Sequence, residues 1–239
     1  MSSIDAQEIE NFSKDSSFWW DEDGPFKPLH RLNPVRLSYI KAQICDHFAR
    51  DHDALKPLKD LSVLDIGCGG GLVCEPMARM GADISGVDAD ANAIAVAKEH
   101  ASSAGLSIDY QCQAVENLTA HYDVVLALEI IEHVNDPQSF MNSLKDRVKP
   151  GGLVICSTLN RNAKSYALGI IAAEQLLRWV PRGTHQWKKF IKPSELSRMG
   201  RSATLTNYDI TGLIFNPLKN AFALSKTDLD VNYLMSFKA

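Results

Sequence analysis

Nine consecutive residues, Val63-Leu64-Asp65-Ile66-Gly67-Cys68-Gly69-Gly70-Gly71, carry the strongest chemical signal in this chain. A short apolar run followed by a turn built almost wholly of glycine predicts a strand, a tight loop and a helix N-terminus. Glycines let a ligand approach bare backbone there. Asp88 follows 21 positions after Gly67, at the end of the next apolar run, Ile84-Ser85-Gly86-Val87. A carboxylate at that place accepts hydrogen bonds from ribose hydroxyls. Loop and carboxylate together point to a nucleoside-containing cofactor.

The glycine pattern narrows the choice. A dinucleotide fingerprint asks for glycine at the first, third and sixth positions. Gly67 and Gly69 fit, but Leu72 holds the sixth. Asp65 beside the loop would repel a pyrophosphate and attract a ligand ammonium. The aspartate-apolar-Gly-Cys-Gly-x-Gly form resembles the first motif of Rossmann-like S-adenosylmethionine methyltransferases. A second group with chemical potential is Glu129-Ile130-Ile131-Glu132-His133. If the stretch turns helically, Glu129, Glu132 and His133 share one face. Two carboxylates and an imidazole can hold a hard divalent ion that keeps several waters. The same loop can instead only shape a pocket, its carboxylates solvated or paired to arginine.

The elements that must position these residues alternate from Leu61 onward. Strands are expected at Val63–Ile66, Ile84–Val87, Ile108–Cys112, Val124–Leu128 and Leu153–Ser157. Helices are expected at Val73–Met80, Asp90–Ser102 and Pro137–Val148, the last with Asp136 as N-cap. Such alternation predicts a parallel sheet covered on both faces, with ligands at the carboxyl ends of its strands. Upstream, a short helix is expected near Ile4 or Asp5. Asn33 as N-cap and Pro34 at the first helical position predict a helix running toward Arg50. Lys149-Pro150-Gly151-Gly152 reads as a turn feeding the fifth strand. Asp209–Phe215 and Val231–Phe237 read as two closing strands, joined by a turn at Asn216-Pro217 and a polar loop.

Composition excludes several classes. The 239 residues are 45% apolar, enough for one sizeable core. A net charge of −4 provides no basic field for nucleic acid. The five scattered cysteines, Cys45, Cys68, Cys74, Cys112 and Cys156, form no Cys-x-x-Cys pair, so neither a disulfide framework nor a zinc knuckle is suggested. Met1 to Glu10 does not read as a signal or transit peptide, and no apolar run approaches the ~18 residues that span a bilayer. One stretch is unusual. Tyr166–Ile171 and Leu176–Val180 are apolar or aromatic, and Arg178, Arg182, Lys188, Lys189 and Lys192 lie beside them. Apolar faces flanked by Lys and Arg suit a helix lying in a membrane interface, or a lid packed on the domain.

Several motifs outside the glycine loop resemble the ubiquinone-biosynthesis O-methyltransferases. They are Phe26-Lys27-Pro28-Leu29-His30-Arg31-Leu32-Asn33-Pro34-Val35-Arg36, Ser157-Thr158-Leu159-Asn160-Arg161-Asn162, Val180-Pro181-Arg182-Gly183-Thr184-His185, Lys188-Lys189-Phe190-Ile191-Lys192-Pro193 and Asp230-Val231-Asn232-Tyr233. The resemblance covers nearly the whole chain. It implies an α/β Rossmann-like class I fold with a mostly parallel seven-stranded sheet and an antiparallel C-terminal edge. It implies an S-adenosylmethionine-dependent O-methyltransferase acting at two steps on polyprenylated catechols or hydroquinones. It assigns cofactor contacts to Arg36, Gly67, Asp88 and Leu128; the reading of the residues adds Asp65 and Gly69.

Magnesium is implied at Glu129, Glu132 and His133 by the family's eukaryotic relatives. A catechol hydroxyl, with a pKa of roughly 9–10, needs a base or a metal to lose its proton at neutral pH. His133 is the first candidate base and His185 the second, while His30 is expected to brace the N-terminal cover. The implied organisation is a helical cover (1–60), a transfer core (61–159 and 193–239) and an inserted lid or membrane-contact segment (160–192). The implied setting is the cytoplasm, at the inner face of a membrane. Lipid contact is expected through 164–192, with other ubiquinone-biosynthesis proteins as partners and no nucleic acid. Three alternatives stay open: another small phenolic acceptor, a non-catalytic S-adenosylmethionine-binding protein of the membrane surface, and a nicotinamide dehydrogenase.

Overall fold

The computed structural model describes residues 13–166 and 186–239. Eight strands form one sheet: β1 (Ser62–Ile66), β2 (Asp83–Asp88), β3 (Asp109–Cys112), β4 (Tyr122–Leu128), β5 (Val148–Leu159), β6 (Thr206–Asn216), β7 (Ala221–Ser225) and β8 (Asn232–Lys238). Their order is β3-β2-β1-β4-β5-β8-β6-β7. The first five are mutually parallel; β8 is antiparallel to β5 and to β6, and β7 is antiparallel to β6. Strand order reverses between β1 and β4, so the crevice at their carboxyl ends is the switch point where ligands settle.

Both faces of the sheet are covered because its central strands are apolar on both. Along β4, Val124, Leu126 and Leu128 join one core while Val125 and Ala127 join the other. The first core takes Ile40 and Ile44 of α1 (Lys27–His47), Met77 of α2 (Cys74–Arg79), and Ile94 and Ala97 of α3 (Ala91–Ser103). The second takes Phe140, Met141 and Leu144 of α4 (Pro137–Arg147) and Leu196 of α5 (Pro193–Ser202). Asp136 caps α4 as expected, accepting the N–H groups of Gln138 and Ser139 at 3.0 and 3.2 Å. Asp90 caps α3 in the same way, through Asn92 N–H at 2.9 Å.

Three local expectations are corrected. The sheet has eight strands, not seven, because Ala221–Ser225 folds back on β6 as an edge strand that is mostly exposed and carries little apolar signal. Asn33 is not an N-cap: α1 begins at Lys27 with Pro28 in its first turn, and Pro34 lies inside the helix. Asn33 is buried and its side chain bridges Leu72 and Arg36. The β4–β5 pairing jumps from Tyr122↔Val148 to Val124↔Leu153, so the Lys149–Gly152 turn falls within the span of β5. The helix expected near Ile4, and the apolar stretch around Arg178 and Arg182, lie outside the described residues.

Candidate active site

At the end of β1 the chain turns through Gly67 (φ 73°), Gly69 (φ 51°) and Gly71 (φ 89°), left-handed conformations that glycine adopts without strain. The N–H groups of Gly67 and Cys68 both reach Val87 O, at 2.8 and 3.1 Å, which ties the loop to the end of β2. Asp88 completes the tie. Its Oδ2 accepts Gly69 N–H and its Oδ1 accepts Asp90 N–H, both at 2.8 Å. Burial raises its carboxyl pKa, and these backbone donors oppose the rise. The expected pair of glycine loop and acidic residue is thus one hydrogen-bonded unit.

Arg36 of α1 reaches the same edge. It is buried; Nη2 donates to Asn33 Oδ1 at 3.0 Å, and Nε is buried without a partner. Burial lowers its pKa, and the charges of Glu129 and Asp65 oppose that shift. Asp65 is 2% exposed and accepts a weak bond from Cys74 Sγ at 3.4 Å. Burial pushes its carboxyl up to about 7, with Arg36 pulling the other way. A buried cation in the field of two acids, carrying one unused donor, suits a ligand that brings both a carboxylate and an ammonium group. Leu128 closes β4 nearby as a buried apolar surface.

The loop after β4 does not turn as expected. Glu129 takes φ 54°, and only Ile131–His133 forms a 3-10 turn, so the three side chains do not line one helical face. Glu129 Oε1 accepts Ser157 Oγ at 2.6 Å, and Asn232 Nδ2 sits 3.3 Å from both Glu129 oxygens. Glu132 Oε2 accepts Thr158 Oγ1 at 2.8 Å, while Oε1 is buried without a partner. Ser157 and Thr158, consecutive on β5, each hold one of the two carboxylates, and the Glu129 charge acts on Glu132. Among the described residues no three His, Cys, Asp or Glu side chains converge on a metal ion. This donor set therefore does not fit the implied magnesium. Burial, then the Glu129 charge, pushes the Glu132 carboxyl up to about 7, against His133 beside it. His133 is itself buried. His30 joins Trp19 O through Nε2 at 2.8 Å, and His185 lies outside the described residues.

Sequence reasoning missed several groups here. Ser157, Thr158 and Asn232 stand in quoted motifs, but nothing in those motifs says that they position Glu129 and Glu132. Trp19 and Trp20 stand outside every motif singled out in the sequence. They lie against Gly69 and Gly70, and Trp20 Nε1 donates to Gly70 O at 2.9 Å.

Comparison with known proteins agrees with this architecture. A family model described as "Methyltransferase domain" matches residues 37–210. A ubiquinone biosynthesis O-methyltransferase of Cereibacter sphaeroides is 49% identical over 236 residues, covering 98% of this chain and 96% of that protein. Its counterpart in Brucella ovis is 50% identical over 235 residues, covering 97% and 94%. Among solved structures, a magnesium protoporphyrin IX methyltransferase from Synechocystis PCC 6803 with bound SAH superposes with a TM-score of 0.64 at 16% identity, covering 96% of this chain and 94% of that one. Half of all positions shared along almost the full length, on a fold of the same type, places this chain in the family of ubiquinone biosynthesis O-methyltransferases.

Proposed function

We propose that this chain moves a methyl group from S-adenosylmethionine to a hydroxyl of a polyprenylated catechol or hydroquinone, at both O-methylation steps of ubiquinone biosynthesis. The observation that carries the reading is the buried Arg36, with its unused Nε, in the field of Asp65 and Glu129 and bonded to Asn33, which holds Leu72 O after the glycine loop. When bound, S-adenosylmethionine supplies an electrophilic methyl on a sulfonium. Arg36 would take the amino-acid carboxylate, Asp65 the ammonium, Asp88 the ribose hydroxyls, Gly67 the close backbone approach and Leu128 the adenosine side, while Gly69, covered by Trp19, would act through its N–H on Asp88. His133 accepts the proton of the acceptor hydroxyl, and Glu132 stabilises the imidazolium that forms. Holding the oxygen in line with the methyl is the remaining task. No step is assigned to a metal.

On this reading residues 1–60 cover the cofactor, 61–159 and 193–239 perform the transfer, and 160–192 meet the membrane that holds the substrate's apolar tail. Two features within that segment support lipid contact: half-exposed Tyr166, and Lys188 with Lys189. No helix among the described residues is long and apolar enough to cross a membrane. The lipid reading expects sedimentation with anionic vesicles that weakens on charge reversal at Lys188 and Lys189. Equal recovery in the supernatant with and without vesicles would sink it.

The decisive experiment follows labelled methyl from S-adenosylmethionine to a polyprenyl catechol, with magnesium and with chelator. Product in both tubes, with His133→Ala cutting turnover by about 100-fold or more and sparing S-adenosylhomocysteine (SAH) affinity, supports the reading. Product only with magnesium requires Glu129 and Glu132 to leave Ser157 and Thr158 and converge. Turnover of short soluble phenols as good as of long-tailed ones removes the polyprenyl assignment.

A further inference from the structure

The segment 13–26 crosses over the glycine loop and is fastened at three places. Ser16 Oγ donates to Asp90 Oδ2 at 2.5 Å and Ser13 Oγ to Asp90 Oδ1 at 3.0 Å. The Trp19 indole stacks on Phe26, with ring centres 3.9 Å apart and planes within 5°. That indole presses on Gly69 and Gly70 so closely that a Cβ on either residue would overlap it. Trp20 bonds Gly70 O and stacks on His100, centres 3.5 Å apart and planes within 4°. His100 Nδ1 in turn lies 2.6 Å from Oε1 of the buried Glu75.

Two of these fastenings act on groups bonded to Asp88. Gly69 and Asp90 supply the two backbone N–H donors that aim the Asp88 carboxylate. Trp19 packed on Gly69 holds the loop in its left-handed turn, and holding Asp90 fixes the other donor. The Trp19 indole N–H is buried without a partner, a cost the segment bears at this place.

We propose that residues 13–26 are a strap over the cofactor loop, with Trp19 as a positioning residue for cofactor binding and the Trp20–His100–Glu75 stack as the latch that sets how slowly cofactor leaves. The proposal rests on the reading of the site as one for S-adenosylmethionine. Trp19 acts through Gly69 and Asp88, and His100, on α3, acts through Trp20.

The test measures SAH affinity and dissociation rate on the full chain, alongside thermal midpoints. His100→Ala is expected to speed dissociation about fivefold or more, and His100→Phe, which keeps a ring under Trp20, to restore it to within twofold. Both variants lose the bond to Glu75, so a purely structural role would move them together. Trp19→Ala is expected to raise the KM for S-adenosylmethionine about tenfold, more than it lowers kcat, and Trp19→Phe to stay within threefold of the parent. If Trp19→Ala fails to fold, the His100 pair decides alone. His100→Ala and His100→Phe behaving alike, or both leaving SAH release unchanged, overturns the strap. A parent protein that binds no SAH overturns the cofactor reading, and the strap with it.

Discussion

Asp65 shows how much of this site depends on single buried charges. Its carboxyl sits near 7 because burial outweighs the nearby guanidinium of Arg36. A ligand ammonium would favour the ionised form, so binding near pH 6 must release the proton held there. SAH affinity should therefore rise by roughly an order of magnitude from pH 6 to pH 8. Asp65→Asn should bind more weakly and flatten that profile. Calorimetry in two buffers of different ionisation enthalpy reads the released proton directly; a parent that releases none would exclude Asp65 as the ammonium partner. Asp88 has a different task, since its two oxygens also hold Gly69 and Asp90. An amide keeps one backbone acceptor but cannot serve ribose hydroxyls as a charged acceptor. Asp88→Asn should weaken SAH about 10- to 100-fold and lower the unfolding midpoint less than Asp88→Ala does. Residue types and spacing made Asp65, Gly67, Gly69 and Asp88 legible, because a tight turn at a strand end demands glycine whatever surrounds it. The hold of Ser157, Thr158 and Asn232 on Glu129 and Glu132 was not legible. It depends on which face of β5 each hydroxyl occupies beside a loop in a left-handed conformation.

Among the elements, the antiparallel edge carries the least obvious constraint. Gly212 of β6 lies so close to Asp228 that an added Cβ would overlap the Asp228 carbonyl oxygen and come within 2.8 Å of its carbon. These are backbone atoms and cannot swing aside. Gly212→Ala should cost about 1–3 kcal/mol, read as a lower urea midpoint. An unchanged midpoint would mean that the 225–231 loop yields freely. The parallel elements were legible because a buried central strand must be apolar on both faces and a helix start needs a cap, as at Asp136 and Asp90. The edge strand β7 was not, since its side chains are mostly exposed and only pairing with β6 makes it a strand. The start of α1 was misjudged for a related reason. Asn33-Pro34 has the local form of a helix entry, but the Asn33 side chain is bonded to Leu72 O and Arg36, and the helix continues through Pro34.

At the scale of the whole molecule, two buried carboxyls near 7, Asp65 and Glu132, set a pH dependence. Their folded pKa values lie above the unfolded ones, so the folded chain holds more protons between about pH 4 and 7. The stability they contribute is complete below about pH 4 and is lost as pH rises through 7. The depressed carboxylates, such as Asp123 and Asp209, act only in the opposite, acidic range. The ligand-free protein should thus be less stable at pH 8 than at pH 5.5, by roughly 4 kcal/mol in urea titrations if both titrate independently, and Asp65→Asn should remove part of the difference. A flat profile for the parent would mean that both carboxyls titrate in the ordinary range. The sequence by itself determined the parallel α/β architecture, the glycine loop and its acidic partner, because strand burial and turn geometry act within short stretches of chain. Only the tertiary structure decided what surrounds them. Arg36 is brought from a distant helix into the field of Asp65 and Glu129, Glu129 and Glu132 take separate hydroxyl partners on β5, and Trp19 comes to rest on Gly69. Those contacts join residues far apart in the chain, and close packing of the folded molecule sets them rather than any local pattern.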